Sequence, residues 1–218
     1  MKSDVNVLDQ FDLSNVKDFF NIVLIGDSSV GKTSILEKYV NDTFQSDFQN
    51  KKIIEIYQKK IYFSDYSYKL KFWDLTKFIG KNNISELDMF YNCDAIIFVS
   101  SYDNKPSLDN LNIWYQLLIE YTDLSTKEMI WLINKKDLDD GKLLTESQID
   151  KKSKDLQLDF YEVSAKTGEN IENGINNIVK KLIKRSNDRS FEQIDSSTSD
   201  SFENSKLILK NIKNCSIF

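Results

Sequence analysis

The chain has 218 residues, a formal net charge of -5 and no histidine. That length holds one domain of ordinary size with tails, the acidic balance argues against general nucleic-acid affinity, and no imidazole is present to act as base or metal ligand. Two cysteines, Cys93 and Cys215, offer neither a disulfide framework nor zinc spacing and point to a reducing compartment.

In chain order, residues 1–17 alternate acidic and apolar residues without the apolar core of a signal peptide, and form an N-terminal extension. Nowhere does an apolar run approach the roughly 18 residues of a membrane span. The run Phe19 to Ile25 reads as a buried strand. It leads into Gly26-Asp27-Ser28-Ser29-Val30-Gly31-Lys32-Thr33, which fits the phosphate-loop spacing G-x-x-x-x-G-K-[ST], and Ser34 to Tyr39 then reads as a helix. In this strand-loop-helix context the backbone N–H groups of Gly26, Ser28, Ser29, Val30 and Gly31 and the helix N-terminus make an anion site. Lys32 is placed for the β- and γ-phosphates and the Thr33 hydroxyl for Mg²⁺.

Asn41 to Lys52 is polar and unpatterned, a loop carrying the lone aromatic Phe44. Ile53 to Tyr62 and Tyr66 to Trp73 read as a hairpin joined by Phe63-Ser64-Asp65. In its second arm Tyr68, Leu70 and Phe72 alternate with Lys69 and Lys71, the period of a half-buried strand. Asp74 closes that arm, where an α/β nucleotide site takes its second ligand on the magnesium side. Asp94 to Ser100 is continuously apolar, as in a strand buried on both faces. Pro106-Ser107 opens one helix that runs through Trp114 to Leu118. Glu128 to Ile133 is a strand running into Asn134-Lys135-Lys136-Asp137, and a helix follows Thr145. A short strand, Phe160 to Val163, leads to Ser164-Ala165-Lys166, and Ile171 to Ile183 has helical spacing. The alternation predicts an α/β fold: a six-stranded, mostly parallel sheet with helices on both faces and its loops gathered at one edge.

Asn134-Lys135-x-Asp137 and Ser164-Ala165-Lys166, at strand ends downstream of a phosphate loop, resemble the small GTPases of the Ras superfamily over roughly residues 18–185. The resemblance implies the P-loop small-GTPase fold, GTP or GDP with Mg²⁺ as ligands, and a monomer. It assigns the guanine N–H donors to Asp137, loop bracing to Asn134, cover of the base to the stem of Lys135, and guanine O6 to the N–H of Ala165, flanked by Ser164 and Lys166. Phe44, twelve residues past Lys32, matches the family's aromatic beside guanine. Thr33 and Asp74 match its magnesium side. The Rab branch is most similar, through Lys69 to Asp74, Asp27-Ser28, Tyr91 to Ala95 and Ser107 to Trp114. Such proteins act in vesicle traffic or signalling.

Departures fall on the parts that sense the γ-phosphate. Lys51 stands where the family has its switch threonine, and Asp74-Leu75-Thr76-Lys77-Phe78 replaces D-x-x-G-Q. Lys77 thus takes the place of the glycine, and Phe78 that of the glutamine which orients the attacking water. Arg185 and Arg189, beyond the core, are the only arginines, so none serves in cis. Weak hydrolysis is expected, or a pseudo-GTPase scaffold that holds guanine nucleotide without cycling. Residues 186–218 form a tail too polar to bury a core and are expected to be disordered. Within it Cys215-Ser216-Ile217-Phe218 fits a prenylation pattern, with Phe218 pointing to geranylgeranyl. Lys206, Lys210 and Lys213 would add a second membrane signal at the cytoplasmic face.

Overall fold

Seven consecutive buried residues, Ala95–Ser101, form a central strand, and a strand buried throughout must be covered on both faces. In the computed structural model, which describes residues 16–45, 54–75, 89–138 and 140–188, it is the fourth of six described strands. These are β1 (Val16–Ile25), β2 (Ile54–Phe63), β3 (Tyr66–Leu75), β4 (Ala95–Ser101), β5 (Glu128–Asn134) and β6 (Phe160–Glu162). They lie in the order β2-β3-β1-β4-β5-β6, parallel at every step except the antiparallel β2–β3 hairpin.

Alternation along the strands divides the core. One face carries Val23, Ile96, Phe98, Trp131 and Ile133, packed with Leu108 of helix α2 (Lys105–Asp109), Leu111 and Leu118 of α3 (Leu111–Ile119) and Ile149 of α4 (Glu146–Leu156). Trp131 is fully buried, and its indole N–H donates to Ser100 Oγ at 2.9 Å, so its one polar atom is satisfied there. On the opposite face Tyr39 of α1 (Lys32–Asn41) meets Phe72 edge-on, with ring centroids 5.6 Å apart. The last helix, α5 (residues 171–188), comes close to the sheet there: a Cβ on Gly174 would lie 2.8 Å from Leu132 Cδ2. Each fully buried Leu, Ile or Phe of these layers contributes about 1.5–3 kcal/mol. The described residues divide into two units within α5, one ending at Ile178 and the other beginning at Val179. The sheet belongs to the first; in the second, residues 179–188 are helical.

Several boundaries differ from the pattern-based expectation, and three of them have a visible physical reason. β1 starts at Val16 because pairing with β3 begins at Val16 and Ser67, upstream of any apolar run. The hairpin closes on two residues, Ser64 and Asp65, with Ser64 at φ 53°. The helix opened by Pro106 breaks at Asn110 into α2 and α3. The predicted start after Thr145 is kept by a capping box with Gln148, in which Thr145 N–H donates to Gln148 Oε1 at 3.0 Å.

Candidate functional site

At the C-terminal edge of the sheet, β1 ends and the chain turns through Gly26 to Gly31 into α1. Gly26 lies so close to β4 that a Cβ would sit 2.1 Å from the Val99 carbonyl oxygen. Gly31, at φ 95°, has Asn134 Nδ2 at 2.1 Å from the same hypothetical atom. No side chain fits at either position without moving backbone or Asn134. Lys32, only 5% exposed, folds back over the loop and donates to the carbonyls of Gly26 and Asp27, both at 2.8 Å. Ser28 and Ser29 form the exposed crown. Next to it the buried Thr33 hydroxyl donates to Asp74 Oδ2, across 41 residues of sequence.

A second pair of loops meets this one through a single buried side chain. Asn134 donates from Nδ2 to the Val30 carbonyl at 2.9 Å, and its Oδ1 accepts from Ala165 N–H at 3.0 Å. The loops after β1, β5 and β6 are therefore fastened together. Asp137 accepts from Ser164 Oγ at 2.6 Å, with Lys166 Nζ 3.9 Å away. Ser164 Oγ also accepts from Thr167 N–H at 3.1 Å, which fixes the loop that presents Ala165. Lys135, at φ 67°, pairs with Asp103 at 2.7 Å. Partial burial pushes the Asp103 carboxyl up, but hydrogen bonds from Lys135 and Ser101 outweigh it and hold it below the ordinary range. Lys136 pairs with Glu169 at 2.6 Å, which raises its ammonium pKa.

The sequence matches the Ras family over residues 21–184, so the match spans the sheet and both loop sets. The chain belongs to the Ras family. Among similar proteins, "Ras-related protein Rab7" of Cenchrus ciliaris is 30% identical over 78% of this chain and 85% of its own length. "Ras-related protein RABG3f" of Arabidopsis thaliana is 29% identical over the same shares. "Ras-related protein Rab-8A" of Pongo abelii is 31% identical over 71% of this chain and 73% of its own length. The chain is thus a Rab-like small GTPase by family, and membership implies guanine-nucleotide binding, usually with Mg²⁺.

The residues of this Ras-family protein fit those ligands. A glycine-lined loop with two positions closed to any Cβ is a cradle for phosphate oxygens, and Lys32 lies across it. Thr33 and Asp74 bring two hard oxygen donors together, the ligand type Mg²⁺ takes beside nucleotide phosphates. Of the residues that the resemblance names at the base end, Asn134 meets Ala165, Asp137 meets Ser164 and Lys166, and Lys135 pairs with Asp103 instead. Phe44 stands past the end of α1 and is 42% exposed. Lys51, Lys77, Phe78 and Cys215 lie outside the described residues. Two partners were not foreseen. Asp103, just after β4, holds Lys135, and the rule that sites gather at strand ends would have found it. Asp27 accepts from Asn110 and Trp114, which no spacing rule connects.

Proposed function

We propose that this Rab-like protein is a membrane-tethered GTP-binding switch in vesicle traffic or signalling whose intrinsic GTP hydrolysis is slow. The observation that carries the nucleotide half is Asn134, which joins the Val30 carbonyl to the Ala165 N–H and so fixes the phosphate loop relative to the base loop. Asp137 would accept the two guanine N–H donors, and a site built to pair them rejects adenine. Lys32 and the loop N–H groups would hold the phosphates, and Thr33 and Asp74 the metal. A Mg²⁺ ion held by Thr33 and Asp74 would supply positive charge beside the phosphoryl oxygens.

Hydrolysis depends on positioning a water and stabilising that charge. Phe78 has no group to orient water, Lys77 lacks the close backbone approach of glycine, and Lys51 cannot ligate Mg²⁺ as threonine does. Tethering rests on the pattern Cys215-Ser216-Ile217-Phe218 and the lysines upstream.

Chromatography of the nucleotide released by denaturing the purified protein tests binding: GDP or GTP supports it, and ATP or nothing overturns it. Single-turnover hydrolysis with Mg²⁺ is expected to run at least about tenfold below an ordinary small GTPase. An ordinary rate would refute the slow switch, and no turnover at all would make the protein a nucleotide-holding scaffold. For tethering, Cys215→Ser should move the full chain from membrane to soluble fraction; unchanged membrane association rejects the anchor.

A further inference from the structure

Asp27 is the first residue of the phosphate loop after Gly26, and a carboxylate at that point is electrostatically awkward beside phosphates. The structure turns it away from the loop's crown. Asp27 Oδ2 accepts from Asn110 Nδ2 at 2.7 Å and Oδ1 from Trp114 Nε1 at 2.8 Å. Those donors are four residues apart, one helical turn, and lie on one face of the α2–α3 junction. Asn110 is placed by its own backbone: its N–H donates to the Pro106 carbonyl at 2.9 Å and its carbonyl accepts from Trp114 N–H at 2.9 Å. The same junction is rooted in β4, because Ser107 Oγ accepts from Ser101 N–H at 3.1 Å and donates to the Asn104 carbonyl at 2.6 Å.

We infer that Asp27, Asn110 and Trp114 form a clamp that positions the phosphate loop for the β-phosphate, an inference that rests on the nucleotide-binding reading above. Residue 27 is held from two sides. Its carboxylate is fixed by the helix junction, and its carbonyl takes the Lys32 ammonium at 2.8 Å. That carbonyl shares the Lys32 ammonium with the Gly26 carbonyl, and the clamped side chain constrains the residue that carries it. An indole N–H can only donate, so Trp114 requires an acceptor at position 27. Asn110 carries an amide that can present either end. A carboxylate serves both donors as they stand, and an asparagine at 27 would serve Trp114 with its oxygen and Asn110 with its amide N–H once the Asn110 amide turned over.

Asn110 keeps helical backbone angles, φ -67° and ψ -13°, so its side chain leaves the junction one turn before that of Trp114 and on the same face. These three are positioning residues, since their side chains act on the loop and on Lys32 and not on the ligand.

The test is the release rate of fluorescently labelled GDP from the full-length protein, together with the affinity for GMP, which has no β-phosphate. Asp27→Ala should release GDP about tenfold faster, and Asn110→Ala and Trp114→Phe about threefold faster. Asp27→Asn should stay within about twofold of wild type, because it keeps both hydrogen bonds. Trp114→Phe should add nothing in an Asp27→Ala background. GMP affinity should be unchanged in all of them, which a general loss of structure would not spare. Wild-type release from Asp27→Ala, equal damage from Asp27→Asn and Asp27→Ala, or a parallel fall in GMP affinity overturns the clamp. If the wild-type protein binds GMP and GDP not at all, the nucleotide reading itself fails.

Discussion

At the phosphate end of the site Lys32, Thr33 and Asp74 are 5%, 4% and 0% exposed, and backbone carbonyls and glycines do most of the holding. At the base end Asn134, Ser164 and Ala165 are buried as well, but the ion pairs around them are not: Lys135 and Asp103 are 30% and 39% exposed, and Lys136 and Glu169 are 31% and 48%. The geometry of the two ends is equally well defined, but the energetics are not. A buried hydrogen bond that loses one partner costs about 1–3 kcal/mol, whereas an exposed ion pair is worth about 0–1 kcal/mol and is screened by salt. Contact distance alone would rank the 2.6 Å Lys136–Glu169 pair above the 2.9 Å bond from Asn134 to Val30. Burial reverses that ranking.

The sharpest way to break this contrast is Asn134→Ala. It leaves the Val30 carbonyl and the Ala165 N–H without their buried partner, so GDP binding should weaken by about 3 kcal/mol in calorimetry. A loss below about 1 kcal/mol would mean that the two loops are held in place by something else. Next comes Asp137→Asn, at the boundary between the buried and exposed regimes, with its side chain 14% exposed. It replaces an acceptor of two guanine donors by a group that opposes one of them, and GDP affinity should fall by about 2 kcal/mol. Equal affinity for GDP in mutant and wild type would remove Asp137 from base recognition.

The smallest effect belongs to Asp103→Asn. Its pairing with Lys135 is more than a third exposed, so after discounting for solvent we expect at most about 0.5 kcal/mol in urea denaturation at neutral pH, vanishing at high salt. The sign of the pH dependence follows from the depressed carboxyl. Its contribution is complete above the ordinary aspartate value of 3.8 and is lost as pH falls through the lower value of the folded protein. The variant should therefore match wild type at strongly acid pH and lag slightly above about pH 4. A large salt-resistant loss would show that an exposed pair here behaves as a buried one.

Local sequence was enough for the features that repeat or that sit at fixed spacing. Gly26 to Thr33, the alternation of Tyr68, Leu70 and Phe72, and the uniform apolarity of Ala95 to Val99 each contain their own structural instruction. The start of β1 did not, because Val16 to Asp18 become strand only by pairing with β3. Nor did the break at Asn110, where the residues on either side are all compatible with one helix. In the site, Asn134, Asp137, Ser164 and Ala165 could be named through family motifs, but the bonds from Ser164 to Asp137 and from Ala165 to Asn134 span 27 and 31 residues and come from the fold. The bonds from Asn110 and Trp114 to Asp27 span 83 and 87 residues. No periodicity reaches that far.

Cys93 offers the experimenter a chemical clock. Its thiol is 2% exposed inside the core cluster and donates to the Phe90 carbonyl at 3.2 Å, so an alkylating reagent reaches it only when that part of the fold opens. Labelling at this position followed by mass spectrometry would count opening events directly, with no substitution introduced into the protein. Because a ligand that binds only the closed form suppresses opening in proportion to its occupancy, the slowing of that reaction by added nucleotide would convert into a dissociation constant without any optical label on the nucleotide.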